Sequence, residues 1–286
     1  MVYWGSLTCY LTTVSVLFFF AGLNWYKLEG KYRRSPQQAI ALLYFANAGL
    51  LYLVFDVPFL AILLLDCLQL AGAFMGTYFQ CIGLTGGIAT GKSTVSGILA
   101  ENGLDIIDTD KISKELDRDE GYRAAIRASF GEAVFSRETG EIDRVKLGNI
   151  IFADKLQRRK LEKLSHPRIF RRIFVQLFKL RFLRKKPLVV LDAPLLFESK
   201  ILEYFCYPIL VVSTDAEKQL ARFTERNNIS EEEALRKISS QMPIGVKVSR
   251  ADIPIDNNGT LKDLDKAVTQ KVIPAIYQKL GYIDSS

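Results

Sequence analysis

Apolar and polar positions divide the chain near residue 78. Ahead of that point, Leu7 to Tyr26 runs free of charge, Ala39 to Phe55 does the same, and Phe59 to Thr77 is broken only by Asp66. Each run is close to the ~20 residues that cross a bilayer as a helix, so the region reads as three transmembrane helices. From residue 79 the pattern changes to short apolar runs separated by amphipathic stretches. Residues 79 to 85, Leu104 to Asp108, Pro187 to Asp192 and Ile209 to Ser213 read as strands covered on both faces. Lys92 to Glu101 reads as a helix with Val95, Ile98 and Leu99 on one side. Thr214 to Glu217 and Ser230 to Glu233 have capping-box spacing and mark two further helix starts. This order predicts an α/β domain with a parallel sheet, preceded by an apolar helical region. Pro254 falls in a terminal strand and confines it to a sheet edge.

Charge sharpens the boundary. Residues 1–78 carry only Lys27, Glu29, Lys31, Arg33, Arg34, Asp56 and Asp66, a net +1 of the chain's +7, and residues 79–286 carry the remaining +6. The chain of 286 residues therefore reads as an apolar membrane-anchor region, 1–78, and a globular region, 79–286, large enough for its own core. Lys27, Lys31, Arg33 and Arg34 lie between the first two apolar runs, and the positive-inside rule puts them in the cytosol or its equivalent. Three crossings then return residues 79–286 to that same side, giving a membrane-associated protein with its globular part facing the cytosol or matrix. The first 26 residues lack the basic start of a secretory signal and the arginines of a transit peptide. The third run passes into the first strand almost without a linker, so an irregular apolar cap and an extension added by the gene model stay open beside the anchor.

The basic balance suits polyphosphate ligands as well as nucleic acid, and no nucleic-acid-binding signature accompanies it, so no nucleic-acid partner is expected. Cys9, Cys67, Cys81 and Cys206 are scattered, with no C-x-x-C, and His166 is the sole histidine, which argues against zinc. The cysteines read as reduced, mostly buried thiols.

The chemistry concentrates at Gly86-Gly87-Ile88-Ala89-Thr90-Gly91-Lys92-Ser93, followed by Thr94. This run fits G-x-x-x-x-G-K-[ST], in which backbone amides close around nucleotide phosphates. It stands between a predicted strand and a predicted helix, the geometry that sets phosphate at a helix N-terminus. Lys92 is positioned to reach the β- and γ-phosphates of ATP, and the Ser93 hydroxyl to ligate Mg²⁺. Asp108 and Asp110 close the second strand and Asp192 the third. Phosphoryl transfer needs carboxylates to orient or deprotonate the acceptor hydroxyl and to hold Mg²⁺. Asp110 is the candidate for the first task and Asp192, through water, for the second. An aspartate after a strand is also a common turn or helix-capping residue.

An ordered series extends the pattern: Ile82 to Ser93; Ile107-Asp108-Thr109-Asp110; Ile142-Asp143-Arg144; His166-Pro167; Pro194 to Glu198; Gln241; Ala251-Asp252; and Ile255-Asp256-Asn257. In this order and spacing the last 200 or so residues resemble the dephospho-CoA kinase family. The resemblance implies ATP-dependent phosphorylation of the ribose 3′-hydroxyl of dephospho-CoA, the last step of CoA biosynthesis. It implies Asp110 as general base, Arg144 and His166 on the dephospho-CoA side, Arg222 and Arg226 in a lid over ATP, and Asn257 near the adenine. Gly245-Val246 departs from the more charged residues the family places after Gln241-Met242-Pro243.

His166 also has a plain structural reading, because Pro167 suits the first position of a long helix. Arg168 to Lys186 holds eight basic residues and no acid, which fits a solvated helix face, a diphosphate contact or a lipid surface. Membrane lipid is thus an expected partner alongside dephospho-CoA. Two other functions stay in view: another small-molecule or nucleotide kinase of the same fold, and a weakly active membrane-tethered nucleotide-binding protein. A GTPase is disfavoured because N-K-x-D is missing.

Overall fold

The computed structural model describes residues 79–282 and, before them, only Cys67 and Gly76. The three predicted membrane spans lie outside the described residues. Among those described, no helix is long and apolar enough to cross a membrane.

A five-stranded sheet has the order β2-β3-β1-β4-β5, with β1 at Cys81–Gly86, β2 at Asp105–Asp108, β3 at Val189–Asp192, β4 at Cys206–Ser213 and β5 at Ile253–Asp256. β1 pairs in parallel with β3 and β4, and β4 with β5. All residues of β1 and β3 are buried, as their unbroken apolar runs predict for inner strands. β5 sits at the edge, where Pro254 is exposed between buried Ile253 and Ile255 and its missing N–H costs no ladder bond. The starts of β1 to β4 differ from the expected ones by one to three residues, while the ends of β2, β3 and β4 fall where expected and β1 runs one residue further.

The described residues form two compact units, one comprising those up to Asp105 and from Leu188 onward, the other Ile106–Pro187. In the first unit, α1 (Lys92–Glu101) follows β1 and buries Val95, Ile98 and Leu99, as its sequence spacing requires. Further along this unit come α6 (Ala216–Asn227), α7 (Glu231–Ser239) and α8 (Ile244–Ser249). Of the two expected capping boxes, Ser230 caps α7 by accepting from the Glu233 amide, while the Glu233 carboxylate turns to Lys237. The Thr214 box does not form, because its hydroxyl donates to Asn257 O and Asn258 Oδ1. A complete box stands instead at Thr260 and Asp263, opening Leu261–Ala267. Cys81 and Cys206 are buried and form no disulfide, their sulfurs 3.8 Å apart, as expected of mostly buried thiols, whereas Cys67 is exposed and Cys9 lies outside the described residues.

The second unit contains α2 (Thr109–Leu116), α3 (Glu120–Phe130), α4 (Arg144–Ala153) and α5 (Lys155–Phe178). Its core gathers Leu116, Tyr122, Ile126, Val134, Phe135, Ile142 and Leu147, with Leu161, Leu164 and Ile169 of α5 packed against it. Pro167 does not begin a helix, as the sequence reading expected; α5 runs straight through it for 24 residues. An interior proline costs about 3 kcal/mol. Burial of Ile173 and Leu177, at roughly 1.5–3 kcal/mol each, offsets that on the same helix.

Asp119 caps α3 by accepting from the Tyr122 amide at 2.9 Å and pairs with Arg172 of α5 at 3.1 Å. The Tyr122 amide, and after it Arg172, hold its carboxyl below the usual carboxylate range against the opposing effect of desolvation. A depressed folded value means the contribution is present above the unfolded value and is lost as pH falls through the folded one. Asp119→Asn should therefore be less stable than the parent at pH 7, with the difference shrinking as pH falls below about 4. Denaturant titrations at several pH values read this directly, and a difference independent of pH would refute it.

Candidate active site

The loop between β1 and α1 is shaped for an anion. Gly91 caps α1 in the left-handed region at φ 93°, and no side chain caps the helix. The Thr94 amide donates to Gly91 O at 3.1 Å, while the amides of Lys92 and Ser93 ahead of it have no side-chain cap and lie where the helix dipole favours negative charge. Ala89, also left-handed at φ 56°, is a non-glycine residue in a conformation of appreciable cost, the kind concentrated at ligand-binding loops. Thr90 is buried, and its hydroxyl donates to Gly87 O at 3.0 Å, closing the turn from inside.

Lys92 and Asp192 form an ion pair across the carboxyl ends of β1 and β3. Asp192 is 3% exposed, so its charge is desolvated and Lys92 is its compensation. Ser93 stands exposed on the first turn of α1. The sequence predicted Lys92, Ser93 and Asp192 for one site, and the first unit brings the loop, Lys92 and Asp192 together.

Three side chains from the C-terminal half hold the loop's carbonyls. Gln219 of α6 donates from Nε2 to Ile88 O at 2.8 Å, and Asn257 from Nδ2 to Thr90 O at 2.8 Å. Lys247 of α8 donates from Nζ to Gly86 O at 3.3 Å. A Cβ added at Gly91 would lie 2.1 Å from Asn257 Nδ2, so this glycine is demanded by contact as well as by φ. Asn257, expected at the adenine, is buried, and its amide is committed to the loop. Its carbonyl accepts from Arg222, which ties one expected lid arginine to the same segment. Arg226 is exposed and lies over the Phe223 ring at 5.8 Å.

In the second unit, Asp108 and Asp110 have separate tasks. Asp108 Oδ1 accepts from the amides of Asp110 and Lys111 at 2.8 and 3.0 Å and so caps α2. The Asp110 side chain is exposed and makes no hydrogen bond or ion pair among the described residues. Arg144 opens α4 behind the cap residue Asp143 and reaches Asp117 Oδ2 at 2.6 Å and Ser113 O at 3.1 Å. Asp110 and Arg144 thus meet the two ends of the same short helix. His166 is exposed on α5, edge-on to Phe170 at 6.0 Å between ring centres.

The model of a family described as dephospho-CoA kinase matches residues 80–263. The dephospho-CoA kinase of Arabidopsis thaliana is 40% identical over 206 residues, covering 72% of this chain and 87% of that relative. The chain belongs to the dephospho-CoA kinase family. The enzyme of that name from Latilactobacillus sakei is 41% identical over 206 residues, 72% of this chain and 98% of its own. A solved dephospho-CoA kinase from Campylobacter jejuni superposes with a TM-score of 0.52 at 29% identity, covering 71% of this chain and 98% of its own. The resemblance read from the motifs is thereby borne out, and the dephospho-CoA kinase match begins where the apolar region ends. Gln219 and Lys247, absent from the sequence reading, both touch the loop between β1 and α1.

Proposed function

We propose that the chain performs its family's reaction, phosphorylating the ribose 3′-hydroxyl of dephospho-CoA with ATP to give CoA and ADP, with the following division of labour. The amides of the Gly86–Ser93 loop hold the ATP phosphates. Lys92 exchanges its Asp192 partner for the more highly charged β- and γ-phosphates. Asp110 orients the 3′-hydroxyl and takes its proton as the oxygen attacks the γ-phosphorus and ADP leaves. Arg144 and His166 bind the acceptor, and Arg222 and Arg226 close over ATP, excluding water. Hard oxygen donors suit Mg²⁺, and the exposed Ser93 hydroxyl and the Asp192 carboxylate through water are such donors. When bound there, the ion would neutralise charge on the phosphate oxygens.

The observation that carries this reading is the uncapped, glycine-initiated α1 with Lys92 on its first turn and Asp192 beside it. The test is ADP and CoA formation by the full chain with ATP and dephospho-CoA, with AMP, or with no acceptor. Turnover confined to dephospho-CoA supports the reading; equal turnover with AMP would favour a nucleotide kinase, and none with any acceptor a tethered binding protein. The charge-free runs and the basic loop support residues 1–78 as a membrane anchor facing the catalytic part to the cytosol or matrix. Release of the chain from membranes by alkaline extraction would overturn that part.

A further inference from the structure

Lys247 is the largest wholly buried side chain of the described residues, at 0% exposure. An enclosed ammonium is tolerated only when its donors are answered, and here all three are. Nζ donates to Pro194 O at 2.9 Å and Gly86 O at 3.3 Å and pairs with Glu198 Oε1 at 2.9 Å. The same Glu198 oxygen accepts from the Met242 amide at 3.0 Å, just ahead of α8. Glu198 Oε2 is enclosed without a hydrogen-bond partner among the described residues. A bare packing role does not need a charge at this site, because a methionine fills similar space without desolvation.

The three donors on the loop fall at alternate carbonyls: Gly86, Ile88 and Thr90. In a planar trans peptide the C=O of one residue and the N–H of the next point in opposite directions. Holding those three oxygens back against Lys247, Gln219 and Asn257 therefore turns the amides of Gly87, Ala89 and Gly91 the other way. We propose that Gln219, Lys247 and Asn257 are positioning residues that aim the loop's amides at the phosphates of ATP before ATP arrives. They act through the backbone and touch no reacting atom. The gain is preorganisation: the loop is not ordered at the expense of binding energy.

This rests on ATP being the phosphoryl donor, so ATP binding is measured without acceptor, separately from turnover. In the full chain, Gln219→Met and the pair Lys247→Met with Glu198→Gln are compared with the parent by ATP titration calorimetry, thermal unfolding and steady-state kinetics. Lys247→Met alone strands the Glu198 carboxylate and should lower Tm; adding Glu198→Gln should restore Tm but not ATP affinity. The Kd and KM for ATP should rise about tenfold in Gln219→Met and in the double variant. KM for dephospho-CoA should stay within about twofold. Recovery of both Tm and ATP affinity in the double variant would reduce Lys247 to a counter-ion and overturn its role. Unchanged ATP affinity in folded Gln219→Met would overturn the alternate-carbonyl argument. A parent that binds ATP but leaves dephospho-CoA untouched would count against the acceptor assignment and leave this inference standing.

Discussion

Lys92→Met should lower kcat/KM by about 10³-fold, the scale of deleting one preorganised charged donor from a transition state. The ammonium is the one positive side chain on the first turn of α1, where the proposed reaction would spread the charge of the transferring phosphoryl group. Stability must be separated from chemistry, because Asp192 is 3% exposed and loses its counter-ion in this variant. Breaking a buried pair on one side costs about 3 kcal/mol or more, enough to mimic inactivation by unfolding. Adding Asp192→Asn removes the stranded charge. The double variant should regain most of the lost Tm and none of the lost turnover in an ADP-release assay. Restored turnover would mean that Lys92 serves the fold, and that the phosphate charge is met elsewhere.

The parts of this protein that local pattern controls were legible before any coordinates. β1 and β3 are buried on both faces and read as continuous apolar runs. Pro254 announced an edge strand because a missing N–H has a single cheap location in a sheet. The glycine loop was legible because close backbone approach leaves few alternatives to glycine at Gly91. What sequence concealed depends on distant contacts. Lys247 sits in a six-residue helix between exposed and half-exposed neighbours, and its burial comes from Gly86, Pro194 and Glu198, far away in the chain. Gln219 sits among polar residues of α6 and is buried by the loop it holds. Thr214 had the spacing of a helix cap, yet Asn257 and Asn258 offered its hydroxyl better acceptors. Pro167 carried a strong local signal for a helix start, and the apolar face of α5 outweighed it.

The two aspartates after β2 show how geometry divides what spacing leaves merged, and they set the second large effect. Asp110→Asn should lower kcat by roughly 10²–10⁴-fold, the usual contribution of a positioned general base, with KM for ATP little changed. The fold should barely register the change. The Asp108 carboxylate accepts from the Asp110 backbone amide, which asparagine keeps, and the Asp110 side chain is exposed with no partner among the described residues. Only its favourable place near the start of α2 is lost, about 0.3–1 kcal/mol. Asp108→Ala is the counterpart, removing the cap at about 1 kcal/mol while leaving the base in place. It should lower Tm more than Asp110→Asn does, and kcat far less. Matched measurements of Tm and single-turnover rate on the two variants decide the assignment. A chain with asparagine at 110 that still turns over at the parent rate would leave deprotonation of the 3′-hydroxyl to solvent or to the phosphate itself, and would reduce Asp110 to a surface charge on α2.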